Sequence, residues 1–217
     1  MSFATALARL RLELADQGAP FQAEVIGDNQ TSRFNLPVVL VSSTGLTVLQ
    51  GQSPNYTTLT SPTQYTMDYR EGVILLTTPP PAGHSLIVRG THYRAFLDSD
   101  LTTLLNAAIS QHNHERSPLI YFDPVSPQVG ISAVEEFAVV LLAKIDALWS
   151  LITDAAQEID VISPDGVNIP ESQRYRQLLE MLRETEERYA SVSQSLNVGI
   201  HRIRVYTAAV SVERPAV

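Results

Sequence analysis

The densest group of metal-binding residue types in this sequence is His112-Asn113-His114-Glu115. Imidazole and carboxylate groups are ligands that Zn²⁺ accepts, so this segment is the first candidate for a metal site. Two histidines two residues apart do not share a helix face, and they reach one ion only where a helix has ended. A histidine near the negative end of a helix dipole explains the same residues without an ion. We therefore predict no metal site and no cofactor.

Asp98 and Asp100 are the best candidates for an acid–base pair. They stand where the sequence becomes helical, and carboxylates there cap free N–H groups without taking part in catalysis. The glycines form no phosphate-binding loop, and the chain has no cysteine for thiol chemistry. These patterns predict a protein without catalytic residues. A small hydrolase that uses His112 with Asp98 or Asp100 is the least favoured alternative.

Composition excludes several classes of protein. The chain has 217 residues, a length that suits one large domain or two small ones. Its formal net charge is −8, and 44% of its residues are hydrophobic, which is enough to form a core. A pI near 5.1 argues against a protein that coats nucleic acid, because replacing condensed counterions needs a basic surface. No apolar run is long enough to cross a bilayer, and the first residues lack the pattern of a secretory signal. We therefore expect a soluble protein with no membrane partner.

Helical periodicity occupies both ends of the chain. A short apolar stripe predicts a helix over residues 2–16, which must dock on the rest of the chain or on a neighbouring subunit because it is too short to be stable alone. A second helix is expected to begin at Asp98. A capping-box pattern at Ser132–Glu135 opens a third, whose wide apolar face over Val134–Ile152 is typical of the central helix of a bundle. A last helix with nearly heptad spacing is predicted from Pro170 to about Leu196.

The middle of the chain, from about Phe34 to Phe96, alternates with the period of two that is typical of strands. Gly72 occupies the position where a hairpin turn favours a left-handed residue. We therefore predict a small antiparallel β-module. Its expected strands are Pro37–Val41, Leu46–Leu49, Tyr56–Leu59, Tyr65–Tyr69, Val73–Leu76 and Leu86–Val88.

Together these patterns predict an α+β fold in four parts. An N-terminal helix (1–18) is followed by the antiparallel β-module (19–97), a three-helix bundle (98–199) and a C-terminal strand and tail (200–217). Asn197 and Gly199 are expected to end the last helix, because the residues after them are β-branched and aromatic.

The predicted C-terminal strand is the candidate interface with a partner. An isolated strand is not stable, so it must pair with the β-module or with an edge supplied by another chain. Its arginines are suited to carboxylates on that partner. The candidate interface residues are Ile200, Arg202, Ile203, Arg204, Val205 and Tyr206.

Three segments of the sequence resemble proteins of tailed bacteriophages. The hairpin Tyr65–Leu76, followed by Pro79–Gly83, resembles a hairpin common in virion proteins. Phe96–Leu101, which leads into an alanine-bearing helix, resembles the opening of head–tail connector adaptors. The segment from Gln173 to Ile200, with its short arginine-bearing tail, is similar to the C-terminal region of head-to-tail adaptors of actinobacterial siphophages.

This resemblance implies a structural protein of the virion neck, made in the host cytoplasm and assembled at the junction of capsid and tail. It implies a ring of about twelve copies that binds the portal protein, its neighbouring copies and the next connector, stopper or tail protein. Double-stranded DNA would pass through the ring without sequence-specific binding, because an acidic protein repels phosphates.

Two alternatives stay open. Within virions, the protein can instead be a tail-completion, tail-tip or fibre-attachment protein. Outside that class, it can be a carbohydrate-binding module on a helical stalk that uses Tyr56, Tyr65 and Tyr69. The sugar-binding alternative needs a concave aromatic face, whereas the alternation of the sequence directs these rings largely toward the core.

Overall fold

The computed structural model describes the backbone of residues 3–115, 135–157 and 171–211, and the side chains of residues 3–112, 135–156 and 173–196. The chain divides into two compact units. Leu14–Asp100 forms one unit, called the β unit below, while Met1–Glu13 and Leu101–Val217 form the other, called the helical unit. The described elements are helices and antiparallel sheets, so the predicted α+β class is confirmed.

The strands of the β unit form two antiparallel sheets. One has four strands in the order β1-β7-β3-β4, and the other has three in the order β2-β6-β5. The strands are β1 (Ala19–Ile26), β2 (Arg33–Asn35), β3 (Thr47–Gln52), β4 (Asn55–Thr58), β5 (Tyr65–Asp68), β6 (Val73–Leu76) and β7 (Ser85–His92). Both sheets contribute side chains to one apolar core, in which Val48 and Leu86 of the first sheet and Ile74 of the second are fully buried.

The predicted hairpin is confirmed, with β5 paired to β6 and Gly72 at a φ of 66° between them. A Cβ on Gly72 would collide with the carbonyl oxygen of Val38, so the turn requires glycine for space as well as for conformation. The sequence missed β1, which pairs with β7 along its whole length. Alanine and proline give β1 a low strand propensity, and its pairing partner lies far away in the sequence.

The predicted strand Pro37–Val41 is wrong. Residues 37–40 form no ladder, and Val41 makes only an isolated bridge to His92. Pro37 cannot donate to a ladder, and Leu40 has a left-handed φ of 52°. Val41 is fully buried and Val38 packs against the core, whereas Val39 is 54% exposed.

One buried carboxylate holds the start of the β unit against the segment that leaves it. Asp16 is 2% exposed and accepts hydrogen bonds from the backbone N–H groups of Arg94 (2.7 Å), Ala95 (3.3 Å) and Phe96 (3.1 Å). These amides lie outside the sheets, and a buried N–H group needs an acceptor. Asp16 therefore accepts hydrogen bonds from three N–H groups that do not pair with a neighbouring strand.

The described helices are α1 (Phe3–Glu13), α2 (Asp98–Glu115), α3 (Glu136–Gln157) and α4 (Glu171–Ser211). The helix α2 begins at Asp98, as predicted. Its N-terminus is capped by Asp100, whose carboxylate accepts a hydrogen bond from the N–H of Leu97 at 3.0 Å. The buried positions of α2 recur at spacings of four and three, as expected for one helix face: Leu101, Leu105, Ala108 and His112.

The helix α3 is buried over most of its surface, as its wide apolar pattern predicts. Residues 138–143 form an uninterrupted run of buried side chains. Trp149, which was expected on the apolar face, is 50% exposed. The described helix packing joins α3 to α1 and to α4. The three-helix bundle over residues 98–199 stays a prediction, as does the capping box at Ser132, which lies outside the described residues.

The predicted C-terminal strand is wrong, because α4 continues through Asn197 and Gly199 to Ser211. A glycine inside a helix costs only about 1 kcal/mol relative to alanine, which is too little to end a long helix. The β-branched residues from Ile200 onward favour a strand only where another strand is available to pair. The same residues also fit a helix, since Leu196, Ile200 and Ile203 recur at spacings of four and three.

We expect Asp16→Ala to lower the free energy of unfolding by about 2 kcal/mol, because one buried and two partly buried N–H groups lose their acceptor. Urea unfolding monitored by circular dichroism measures this loss, and amide exchange at Arg94 and Phe96 should accelerate. Asp28→Ala is the matched control, since Asp28 also accepts backbone hydrogen bonds but is exposed. Equal losses for the two variants would contradict the role given to Asp16.

The exposed turn after β1 provides a prediction about pH. The hydroxyl of Thr31 donates to Asp28 at 2.6 Å, and with the backbone N–H groups of Thr31 and Gln30 it lowers the pKa of Asp28 to about 2. A carboxyl whose pKa is lower in the folded state stabilises the fold above its unfolded value of 3.8, and the stabilisation is lost as the pH falls toward 2.

Thr31→Val should therefore raise the pKa of Asp28 toward 3.8, which a pH titration by NMR measures. Thr57→Val is the control, because the Thr57 hydroxyl donates to the backbone carbonyl of Gln50 and not to a carboxylate. An unchanged midpoint in the Thr31 variant would show that the backbone donors alone hold the pKa low.

Candidate partner-binding site

All six candidate interface residues lie on α4. Along a strand, Ile203 and Val205 would point to the same side. On a helix they are about 200° apart, on opposite sides. The backbone N–H and C=O groups of this segment are hydrogen-bonded within the helix. They cannot also pair with the edge strand of a sheet. A partner that binds here must contact a helix surface.

The register between α3 and α4 is marked by the contact of an arginine with a phenylalanine ring. The guanidinium carbon of Arg188 lies 4.8 Å from the ring centroid of Phe137, the second residue of α3. The buried α4 residues Leu182 and Thr185 precede Arg188, so α4 runs back along α3 in the antiparallel direction. The residues from Tyr189 to Ser211 therefore extend past the first residue of α3, over roughly 34 Å at the rise of an α-helix.

A cluster of charged side chains surrounds this point and joins three helices; we call it the charge cluster. Glu13 at the end of α1 lies between two cations. Its Oε2 is 3.2 Å from Lys144 Nζ on α3 and 3.7 Å from Arg188 Nη1 on α4. Since Lys144 and Glu13 are both largely buried, this pair is less screened by solvent than a surface ion pair.

The other half of the charge cluster lies at the first turn of α3. Arg9 of α1 places its guanidinium carbon 4.6 Å from the Phe137 ring centroid, so the ring contacts the cations of both Arg9 and Arg188. Arg9 also lies 3.7 Å from Glu136 Oε1. The Glu136 carboxylate is 1% exposed and lies in the first turn of α3.

This cluster can position helices, and its contacts indicate no reaction. Each acidic group faces a cation from another helix, and each cation contacts a carboxylate or an aromatic ring. Directional contacts of this kind select one register among the many that an apolar surface such as that of α3 allows.

The residues that the sequence offered for acid–base chemistry have structural roles. Asp98 accepts a hydrogen bond from the Tyr93 hydroxyl at 3.2 Å. Asp100 caps α2 and pairs with Arg70 at 2.7 Å. His112 is buried on the inner face of α2, away from the exposed surface. Among the side chains that the structure describes, no group of three His, Asp or Glu could hold a metal ion.

The tyrosines of the sugar-binding alternative do not form an exposed platform. Tyr65 belongs to the core of the β unit, where burial raises the pKa of its phenol and the neighbouring Tyr69 adds a smaller increase. Tyr56 and Tyr69 are half-buried. A sugar ring stacks on an open aromatic face, which Tyr65 does not offer.

Sequence reasoning missed the charge cluster. Its only local signal is the pair Arg9 and Glu13, four residues apart on one helix, which is the spacing of a helical ion pair. Instead of pairing with each other, these residues contact side chains more than a hundred positions away, which no local pattern reveals.

No protein-family model matches this chain, and no curated protein matches it. In the described part of the chain, no helix combines the length and the hydropathy needed to span a bilayer.

We expect Glu13→Gln to lower the free energy of unfolding by about 1 kcal/mol at low salt, because two cations then face each other without their shared carboxylate. The loss should shrink at high salt, which screens that repulsion. Urea unfolding followed by the fluorescence of Trp149, the only tryptophan, measures it. Glu24→Gln on the exposed side of β1 is the control, and a salt-independent loss would contradict an electrostatic origin.

Proposed function

We propose that this protein is a structural component of a tailed-phage virion: a head-to-tail connector adaptor that forms a ring between the capsid portal and the tail. The observation that carries the proposal is the extension of α4 past α3, which leaves an arginine-bearing helical segment suited to reach another protein. The resemblance of three sequence segments to virion and adaptor proteins supplies the identity of that protein, the portal.

The segment that holds the candidate residues Ile200, Arg202, Ile203, Arg204, Val205 and Tyr206 binds the portal as a helix, so Ile200 and Ile203 face the portal whereas Val205, on the opposite side, does not. Residues 200–211 contain two arginines and no carboxylate, although the chain as a whole has a net charge of −8. Arginine binds carboxylates through paired hydrogen bonds, so the partner groove is expected to be apolar with an acidic rim. Binding of a helix in a groove therefore takes the place of the strand addition that the sequence predicted.

The acidic character of the chain supports a position around a DNA channel. A ring with net negative charge repels phosphates and lets double-stranded DNA pass without gripping it. In a ring, each copy binds one neighbour through one surface and the other neighbour through a different surface. When the ring closes, no copy is left with an unoccupied binding surface. The next connector, stopper or tail protein binds the face of the ring opposite the portal, and no membrane, cofactor or catalytic step takes part.

The proposal is tested by light-scattering mass measurements on the purified protein, alone and mixed with the portal protein of the same genome. We expect complexes of ring size with portal. Ile203→Asp should weaken portal binding at least tenfold, about 1.4 kcal/mol, because it places a charge on the apolar stripe of the helix. Val205→Asp is the matched control on the opposite side of the helix and should bind like the original protein.

Each outcome of this experiment decides a separate point. Equal loss in both variants would indicate an extended interface and contradict helical binding. A protein of unchanged mass in the presence of portal would overturn the connector proposal. It would favour a tail-completion, tail-tip or fibre-attachment role, which needs no ring beneath the portal.

A further inference from the structure

The heptad spacing predicted for the last helix continues along the whole of α4. From Tyr175 to Val210, apolar or small residues recur at alternating spacings of three and four, with Thr185 as the polar exception. A repeat of this kind keeps one side of a helix turned toward a second helix along its whole length. We call these positions the α4 seam. Between residues 189 and 206 it consists of Tyr189, Val192, Leu196, Gly199, Ile203 and Tyr206.

The first half of the α4 seam is covered by α3 of the same chain. Leu182 and Thr185 are buried there, and Arg188 lies level with Phe137, the second residue of α3. Since α4 runs antiparallel to α3, the seam positions from 189 onward lie past the first residue of α3. Among the described helices, α3 is the one that packs along α4. The second half of the seam can therefore receive another helix that lies in line with α3.

The second half of the seam has the length and the chemistry of a helix-pairing surface. Residues 189–206 span about 27 Å at the rise of an α-helix. The residues that flank the seam are small at Ser193 and Ser195, so a second helix can approach closely. The sequence has no carboxylate between residues 189 and 212, so the charged groups of this segment are cations.

The direction of the second helix is set by the position of α3. A parallel copy of α4 in register would place its own first half along residues 171–188, where α3 already packs. An antiparallel copy lies in line with α3, because α3 is itself antiparallel to α4. It also separates the arginines of the two helices, whereas a parallel copy brings like charges together.

We propose that two copies of this chain pair through residues 189–206 of α4 as an antiparallel two-helix coiled coil, with the two-fold axis between Asn197 and Val198. Both copies use the same surface, so the assembly closes at two chains. The smallest residue of the seam then lies opposite a large one, and Gly199 leaves room for a leucine inside a long helix. The seam layers of the two copies are Tyr189 opposite Tyr206, Val192 opposite Ile203 and Leu196 opposite Gly199.

This pairing also bears on assembly with the portal. Ile203 belongs to the α4 seam and to the side of the helix that faces the portal in the proposed connector, so a second copy and the portal compete for it. The portal then displaces the second copy, and the pair is the form of the protein before assembly. This competition rests on the proposed function, whereas the pairing of two free copies does not.

The first test is the mass of the purified protein by light scattering over a range of concentrations. We expect twice the mass of one chain, and Leu196→Asp should weaken pairing at least tenfold because it places a carboxylate within the seam. Gln194→Asp is the matched control, since it adds the same charge on the exposed side of α4 and should pair like the original protein. A single-chain mass at every concentration, or equal weakening by both variants, would overturn the proposal. Circular dichroism verifies that each variant is folded.

Because the chain has no cysteine, engineered disulfides can test the register. Val192→Cys and Ile203→Cys are made in separate proteins, which are mixed and oxidised. The antiparallel register brings residues 192 and 203 of different copies together, whereas two copies of one position lie about 16 Å apart along the axis, too far for a disulfide. We therefore expect linked chains in the mixture only. Linked chains in each variant alone, or none in the mixture, would contradict this register.

The failure of this proposal differs from the failure of the connector proposal. A free protein of single-chain mass that forms rings with portal rejects the pair and retains the connector. A free pair whose mass does not respond to portal retains the pair and rejects the connector. Competition between the two predicts that the disulfide-linked pair binds portal at least tenfold more weakly than the unlinked protein.

Discussion

The carboxylate of Asp16 joins the first residues of the β unit to the segment near its end. It lies three residues after the end of α1 and holds residues 94–96, which lead into α2. Both Asp16 and residues 94–96 belong to the β unit, so this one group holds the two ends of that unit together. An exposed charge would contribute little there, whereas a buried carboxylate with three N–H donors is costly to remove and so specifies a single path.

Packing and charge have different roles in the helical unit. The buried run of α3 supplies the hydrophobic free energy, but a surface that is apolar almost all round distinguishes poorly between alternative positions of a partner helix. The ion pairs of Glu13 and the two arginines on Phe137 make that distinction, because they are satisfied in only one register of α1 and α4. The cluster therefore contributes more to which arrangement forms than to how stable it is.

The sequence predicts those features whose causes are local. The hairpin of β5 and β6 follows from alternation and Gly72, and α2 and α3 follow from their apolar periodicity. Asp16 was unpredictable because its partners lie about 80 positions away, and β1 because its ladder is with β7. The end of α4 was wrongly predicted because residues 200–206 satisfy both a strand pattern and a helix pattern. Local propensity cannot decide between them when the deciding contacts are distant.

In the proposed connector, the helical state of residues 200–206 would change how this segment binds the portal. A strand added to a sheet binds through its backbone, so many sequences serve equally well and specificity is low. A helix has already paired its backbone groups, so affinity and specificity depend on the side chains along one stripe. The sequence repeats apolar residues at helical spacing in Leu196, Ile200 and Ile203, and it places Arg202 and Arg204 in the same segment. A portal groove that binds this helix would therefore have to be apolar and to carry acidic groups for the arginines.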